Sequence, residues 1–233
     1  MKNMLIILLF LFSSIHILGK EKVTLVTFPI PRYVESSEKG EFVHLAKELA
    51  KKLGYELELN VFPPKRSLNV FLDGKVDGYF PALDRLKVTN FYKTSNFYIK
   101  KNFIFQLKNS DYRKLKRPKV CLTRGYSYGR DVQESKKWKV YYAKSDIQCL
   151  NLLRVGRVQL FIGEETTTLA ALNSVKLLDK VHYDKNSPIT IENVYFAFSE
   201  TEKGRVLSQK FDKLLKKMNR TGELKSILRG KER

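Results

Sequence analysis

Between residues 40 and 81 the chain switches between two hydrophobic periods. In EFVHLAKELAKKLG the apolar positions fall at Phe42, Leu45, Ala46, Leu49 and Leu53, the spacing of one buried helical face. Gly54 follows, where a glycine closes such a helix. Residues 55–61 alternate apolar and polar, the period of a strand. Pro63 and Pro64 break that strand and lead into a short helix, KRSLNVFLDG, again ended by a glycine; residues 76–83 form the next strand and loop. The β-branched run VTLVTF at 23–28 comes before all of these. The pattern predicts a parallel-sheet unit whose loops gather at one edge, the edge where open α/β sheets hold ligands.

The same logic continues. Residues 103–107 read as a strand, and the charged stretch LKNSDYRKLKRP after it reads as a crossover. KVCLTRGYSYG (119–129) predicts a strand, a glycine turn and a helix start, and 139–143 another strand. Ser145 to Gln148 forms a capping box before DIQCLNLLRVG. A strand over 158–162 and a helix over 164–173 follow. Asn186 and Pro188 then punctuate the chain before ITIENVYFAFS, the return crossover. The closing segment places Leu207, Phe211, Leu214, Leu215 and Met218 on one face, and Thr221 is positioned to cap a last helix holding Leu224, Ile227 and Leu228. Two crossings predict an α/β protein of two lobes, each a mostly parallel sheet flanked by helices. Residues 20–107 and 190–233 form lobe 1, and 108–189 form the inserted lobe 2. A double-stranded hinge of this kind suits clamshell closure on a ligand.

Length, charge and cysteines narrow the picture. A chain of 233 residues can bury one large core or two modest ones. Lys2, an apolar run over 4–12 and small or polar residues up to Gly19 match a signal peptide at 1–19, and the run is short of the roughly 20 residues a membrane span needs. The expectation is export to the periplasm. The net charge of +20 invites a nucleic-acid reading. However, the lysines are spread along the chain on polar helix faces, as in AKELAKKLG and FDKLLKKMNR, with no nucleic-acid motif beside them. We therefore expect a solvated basic surface and no nucleic-acid partner. Cys121 and Cys149 are the two cysteines. A disulfide between them and a pair of buried thiols are both open from sequence. No histidine adjoins them, so neither a metal site nor a cofactor is expected.

Four segments taken in order resemble the extracellular solute-binding proteins of family 3, the amino-acid-binding class that serves ABC transporters. They are EFVHLAKELAKKLGYELEL, FPPKRSLNVFLDGKVDGYFP, TRGYSYG and GRVQLFIGEETTTLAAL. The second is similar to a P-W-K-R-A-L…G-x-V-D-G pattern, with Pro64 where Trp is usual. The resemblance implies a type II periplasmic-binding-protein-like fold and an amino acid held between the lobes. It also implies a monomer that hands its solute to an inner-membrane ABC permease and carries out no catalysis. By position it assigns Arg85 to the ligand carboxylate, where a guanidinium grips in bidentate fashion. Gly125, Tyr126 and Ser127 match the anion-holding turn, and Glu164 matches the acid that meets the ammonium. Tyr33 and Phe80 are expected in the cleft as aromatic walls, with Phe28 more in keeping with the core. Two other readings share the fold: an enzyme resembling cyclohexadienyl dehydratases, with Glu164 or Glu165 as general acid, and a sensory domain serving a membrane receptor. His44 and His182 belong to no motif and read as structural.

Overall fold

The computed structural model describes residues 20–84 and 90–228. The signal-peptide expectation at 1–19 and the carboxylate-binding expectation at Arg85 both fall outside the described residues. In the first part of the chain, β1 (Lys22–Thr27), α1 (Glu41–Lys52), β2 (Glu56–Val61), α2 (Pro64–Leu72) and β3 (Gly78–Leu83) follow in order. After β4 (Phe91–Lys93) and the long β5 (Tyr98–Leu107) come β6 (Lys119–Thr123), α3 (Arg130–Gln133), β7 (Lys139–Ala143), α4 (Asp146–Arg154), β8 (Leu160–Glu164), α5 (Glu165–Ser174) and β9 (Val181–His182). The chain returns along β10 (Thr190–Ser199) and ends in α6 (Glu202–Arg220) and α7 (Glu223–Leu228).

The strand order is β2-β1-β3-β10-β5-β8-β6-β7. β1 runs parallel to β2 and β3, and β6 runs parallel to β7 and β8. Each parallel trio is completed by one antiparallel strand, β10 beside β3 and β5 beside β8. β5 and β10 also pair with each other, from Asn102 opposite Thr190 to Tyr98 opposite Val194. These two long strands are the crossings, and the sheet passes from one half to the other through them.

Both faces of each half are packed, as parallel sheets require. In the first half, Leu45 and Leu49 of α1 and Phe211 of α6 meet Phe196 and Phe198 of β10; on the opposite face Phe71 of α2 meets Val26, Tyr79 and Tyr195. In the second half, Cys149 and Leu150 of α4 pack with Cys121 and Phe161, and Trp138 and Tyr128 cover Val120, Leu122 and Leu160. Phe103 and Phe105, which the sequence reading set in lobe 1, belong to the core of the second half. Cys121 and Cys149 are joined in a disulfide with Cα atoms 5.5 Å apart, tying β6 to α4.

The caps explain where helices stop. Gly54, at φ 80°, follows Leu53, the C-terminal cap of α1, with its N–H on the Lys51 carbonyl, and Tyr55 donates to the Ala50 carbonyl. That is a Schellman closure, which needs a left-handed residue. Ser145 caps α4 by accepting from the Gln148 N–H, as its capping-box position predicts. Thr221 departs from expectation: it is the C-terminal cap of α6, and its hydroxyl donates to the Met218 carbonyl. α7 begins at Glu223 instead.

Candidate functional site

A cleft of about 420 Å³ opens between the two halves, beside the crossing strands. Its first-half wall starts at the loop after β1. The Phe42 N–H donates to the Tyr33 carbonyl at 3.0 Å, and the Arg32 Nε donates to Glu41 Oε1 at 2.6 Å. The loop is thereby folded back on the start of α1, and the Tyr33 ring stacks on Phe42 with centroids 4.4 Å apart. Ser67 hydroxyl donates to the Thr27 and Phe62 carbonyls, fixing α2 against the end of β1 and bringing Pro64 and Leu68 to the mouth. Phe28 and Tyr79 stack at 6.1 Å, and both line the cleft.

The second-half wall is built from the turn after β6 and the end of β8. Gly125, Tyr126 and Ser127 line the cleft, as does Glu164. Glu164 ends β8 and caps α5: its Oε2 accepts the Thr167 N–H at 2.8 Å, and its Oε1 accepts the Tyr98 hydroxyl at 2.6 Å. A short segment thus makes one carboxylate both a helix cap and a wall of the cavity. Gly163 allows this, because its backbone lies directly against Thr168 and the Phe161 ring.

Three residues that the sequence reading did not single out occupy the cleft through the crossing strand: Tyr98, Lys100 and, from β10, Val194. Lys100 Nζ donates to the Ser127 carbonyl at 2.6 Å and lies 3.6 Å from Glu192 Oε2, its cross-strand neighbour. The signal for them was present. Along β5, Tyr98, Lys100 and Asn102 turn inward while Ile99 and Lys101 are exposed, so polar side chains occupy the inward positions. A strand with polar side chains at its inward positions faces a cavity and not a core.

Two expectations about aromatics are corrected. Phe80 is fully buried in the core against Phe196, and it does not reach the cleft. Its chain neighbours Tyr79 and Pro81 line the cavity, because successive strand residues point to opposite faces. Phe28, expected in the core, is only half-buried and lines the cleft beside Tyr33's loop. The turn is corrected as well. No helix opens at Ser127, where the sequence predicts a helix start; α3 starts at Arg130 and has four residues.

Burial sets the electrostatics of the cleft, and Glu164 adds to it. Burial and the nearby Glu164 charge push the Tyr98 and Tyr33 hydroxyls well above the usual phenol range. Tyr126 is raised too, by burial and then by Asp146 and Glu164. Asp146, at the start of α4, is held above the usual carboxylate range by burial, although the Thr123 hydroxyl donates to it. The charged lining side chains are Glu164, Lys100 and Lys65, and the rest of the lining is largely carbon. Among the described residues no cluster of His, Cys, Asp and Glu could hold a metal ion.

Neither a family sequence model nor a curated protein sequence matches this chain. Solved structures do. ArgBP from T. maritima, in a mutant form, superposes with a TM-score of 0.68 at 17% identity, covering 89% of this chain and 93% of that one. AbpA from Streptococcus pneumoniae, an amino acid ABC transporter substrate-binding protein bound to L-arginine, gives 0.69 at 20% identity over 89% and 93%. The GluR0 ligand-binding core from Nostoc punctiforme, in complex with L-glutamate, gives 0.72 at 15% identity over 88% and 96%. With this strand order, paired crossings and interlobe cleft, the chain has the type II periplasmic-binding-protein fold.

Proposed function

We propose that the protein is an exported solute-binding protein that closes its two lobes on a small amino-acid-like solute and delivers it to an ABC permease. The observation that carries this reading is Glu164. It is a buried carboxylate on the cleft wall whose two oxygens already accept hydrogen bonds from Tyr98 and Thr167. A carboxylate held in this way is set to face a cation, such as the ammonium of an amino acid. In this reading Lys100 and the Gly125–Ser127 turn, which line the same cleft, meet the ligand carboxylate, the role the family resemblance gives to Arg85. The lobes are assigned to residues on either side of the β5–β10 pair, which acts as hinge. No described helix is long and apolar enough to cross a membrane, and the fold's relatives among the solved structures include a substrate-binding protein of an amino acid ABC transporter.

Binding is favoured over catalysis on the same fold. A dehydratase-like step needs a proton donor aimed at the leaving group, whereas both Glu164 oxygens accept hydrogen bonds, and Glu165 accepts from the Tyr183 hydroxyl and is not among the lining residues. A sensory role would use the same ligand chemistry with a different partner; a histidine kinase sensor domain superposes with a TM-score of 0.71 at 17% identity. Thermal unfolding against the twenty amino acids tests the reading. A ligand at a hundredfold excess over Kd adds about 2.7 kcal/mol of stability. Glu164→Gln should abolish that gain, read as the shift from the variant's own unliganded melting temperature. A ligand-induced shift that survives the substitution would remove Glu164 from the site.

A further inference from the structure

We infer that the solute is an amino acid with a bulky uncharged side chain, aromatic or branched aliphatic, and that charged side chains are rejected. This rests on the binding reading above and narrows it. The walls away from Glu164 are carbon. Phe28 stacked on Tyr79 forms one side, Pro64 and Leu68 close the mouth, and Tyr126 faces in from the second half. A volume of about 420 Å³ leaves room for a large side chain beyond the ammonium and carboxylate.

The charged groups among the described lining residues are Lys65, Lys100 and Glu164. Glu164 is committed to the ammonium. Lys100 is held by the Ser127 carbonyl and Glu192, beside the end assigned to the carboxylate. Lys65 is exposed, so its charge is shared with water and cannot repay the desolvation of an anionic side chain. A guanidinium or a second carboxylate entering the Phe28–Tyr79 wall would shed its hydration with no buried described partner of opposite charge to replace it. An aromatic or branched side chain sheds water from carbon only, and its ring can stack on Phe28 and Tyr79. The solved relatives bound to arginine and to glutamate mark the contrast.

Titration calorimetry of the mature protein with L-phenylalanine, L-leucine, L-arginine and L-glutamate tests the inference. The expected result is affinity for phenylalanine or leucine at least tenfold above that for arginine and glutamate. Phe28→Ala and Tyr126→Ala should each weaken the favoured ligand by about tenfold or more, the scale of lost apolar contact in a pocket. Circular dichroism of both variants should match the parent. Arginine or glutamate bound as tightly as the apolar ligands would overturn the inference and leave the amino-acid reading standing. Absence of binding by any amino acid would overturn both. Full affinity in both variants would place the side chain elsewhere and defeat the inference alone.

Discussion

The hydroxyl of Tyr98 donates to Glu164 at 2.6 Å and also lies 2.7 Å from the hydroxyl of Tyr33. One phenol on the crossing strand thus links the loop after β1 in the first half to the end of β8 in the second. The three groups form a polar bridge along the cleft wall.

Tyr98→Phe removes that link while keeping the ring. A partly buried hydrogen bond to a carboxylate contributes about 1.5–3 kcal/mol, so the variant should lose stability of that order in urea unfolding. A double-mutant cycle with Glu164→Gln should give a coupling of about 0.5 kcal/mol or more. Additive losses would mean that Tyr98 and Glu164 do not act together.

Gly163→Ala should disturb the site through its backbone. A Cβ there would press on the Thr168 hydroxyl and stand 2.8 Å from Phe161 Cζ. Both neighbours are buried, so overpacking should cost about 1–3 kcal/mol. Ligand affinity should fall as well, because Glu164 is the next residue. A variant with parental stability would show that the strand can shift freely at this point.

Asp146 gives a pH signature. Burial raises its carboxyl above the ordinary value of 3.8, with Glu164 adding in the same direction and the Thr123 hydroxyl and Lys100 opposing. Over the window from 3.8 up to the raised value, the folded protein keeps a proton that the unfolded chain has released. Stability therefore falls as pH rises through that window, and the full cost is present at neutral pH. Asp146→Asn keeps an acceptor for Thr123 and removes the charge. It should be at least as stable as the parent at pH 7, with that advantage shrinking as pH drops toward 3.8. Urea midpoints measured across pH 3.5–7 check this; a variant that is least favourable at pH 7 would mean the anion is stabilised on folding.

Replacing both Cys121 and Cys149 with alanine opens a loop closed across 28 positions. The chain-entropy scale for such a loop is about 3–4 kcal/mol. Because the bond ties β6 to α4 within the second half, unfolding should begin there, and hydrogen exchange should rise in α4 before α1. Uniform loss of protection would contradict that assignment.

Much of the fold was legible because its elements bury one clear face. The Phe42, Leu45, Ala46 and Leu49 stripe of α1 lies in the core as the 3.6 period requires, and the glycines at 54 and 74 end their helices where the pattern stops. The site was harder to read. Phe80 and Tyr79 are adjacent in a strand buried along almost its whole length, so composition could not say which faces the cavity, and a shift of one residue exchanges the two faces. Lys100 looked like one more lysine on a basic chain until β10 placed Glu192 opposite it.

The order of amino acids by itself decided most of the helices and the parallel units, because these follow from local period and from punctuating glycines and prolines. Which groups share one cavity was decided only by tertiary structure. Tyr33, Tyr98 and Glu164 are separated by up to 131 positions, and they meet because β5 and β10 carry the sheet from one half to the other. Strand pairing over such distances is set by the packing of whole layers, and no local window of sequence contains it.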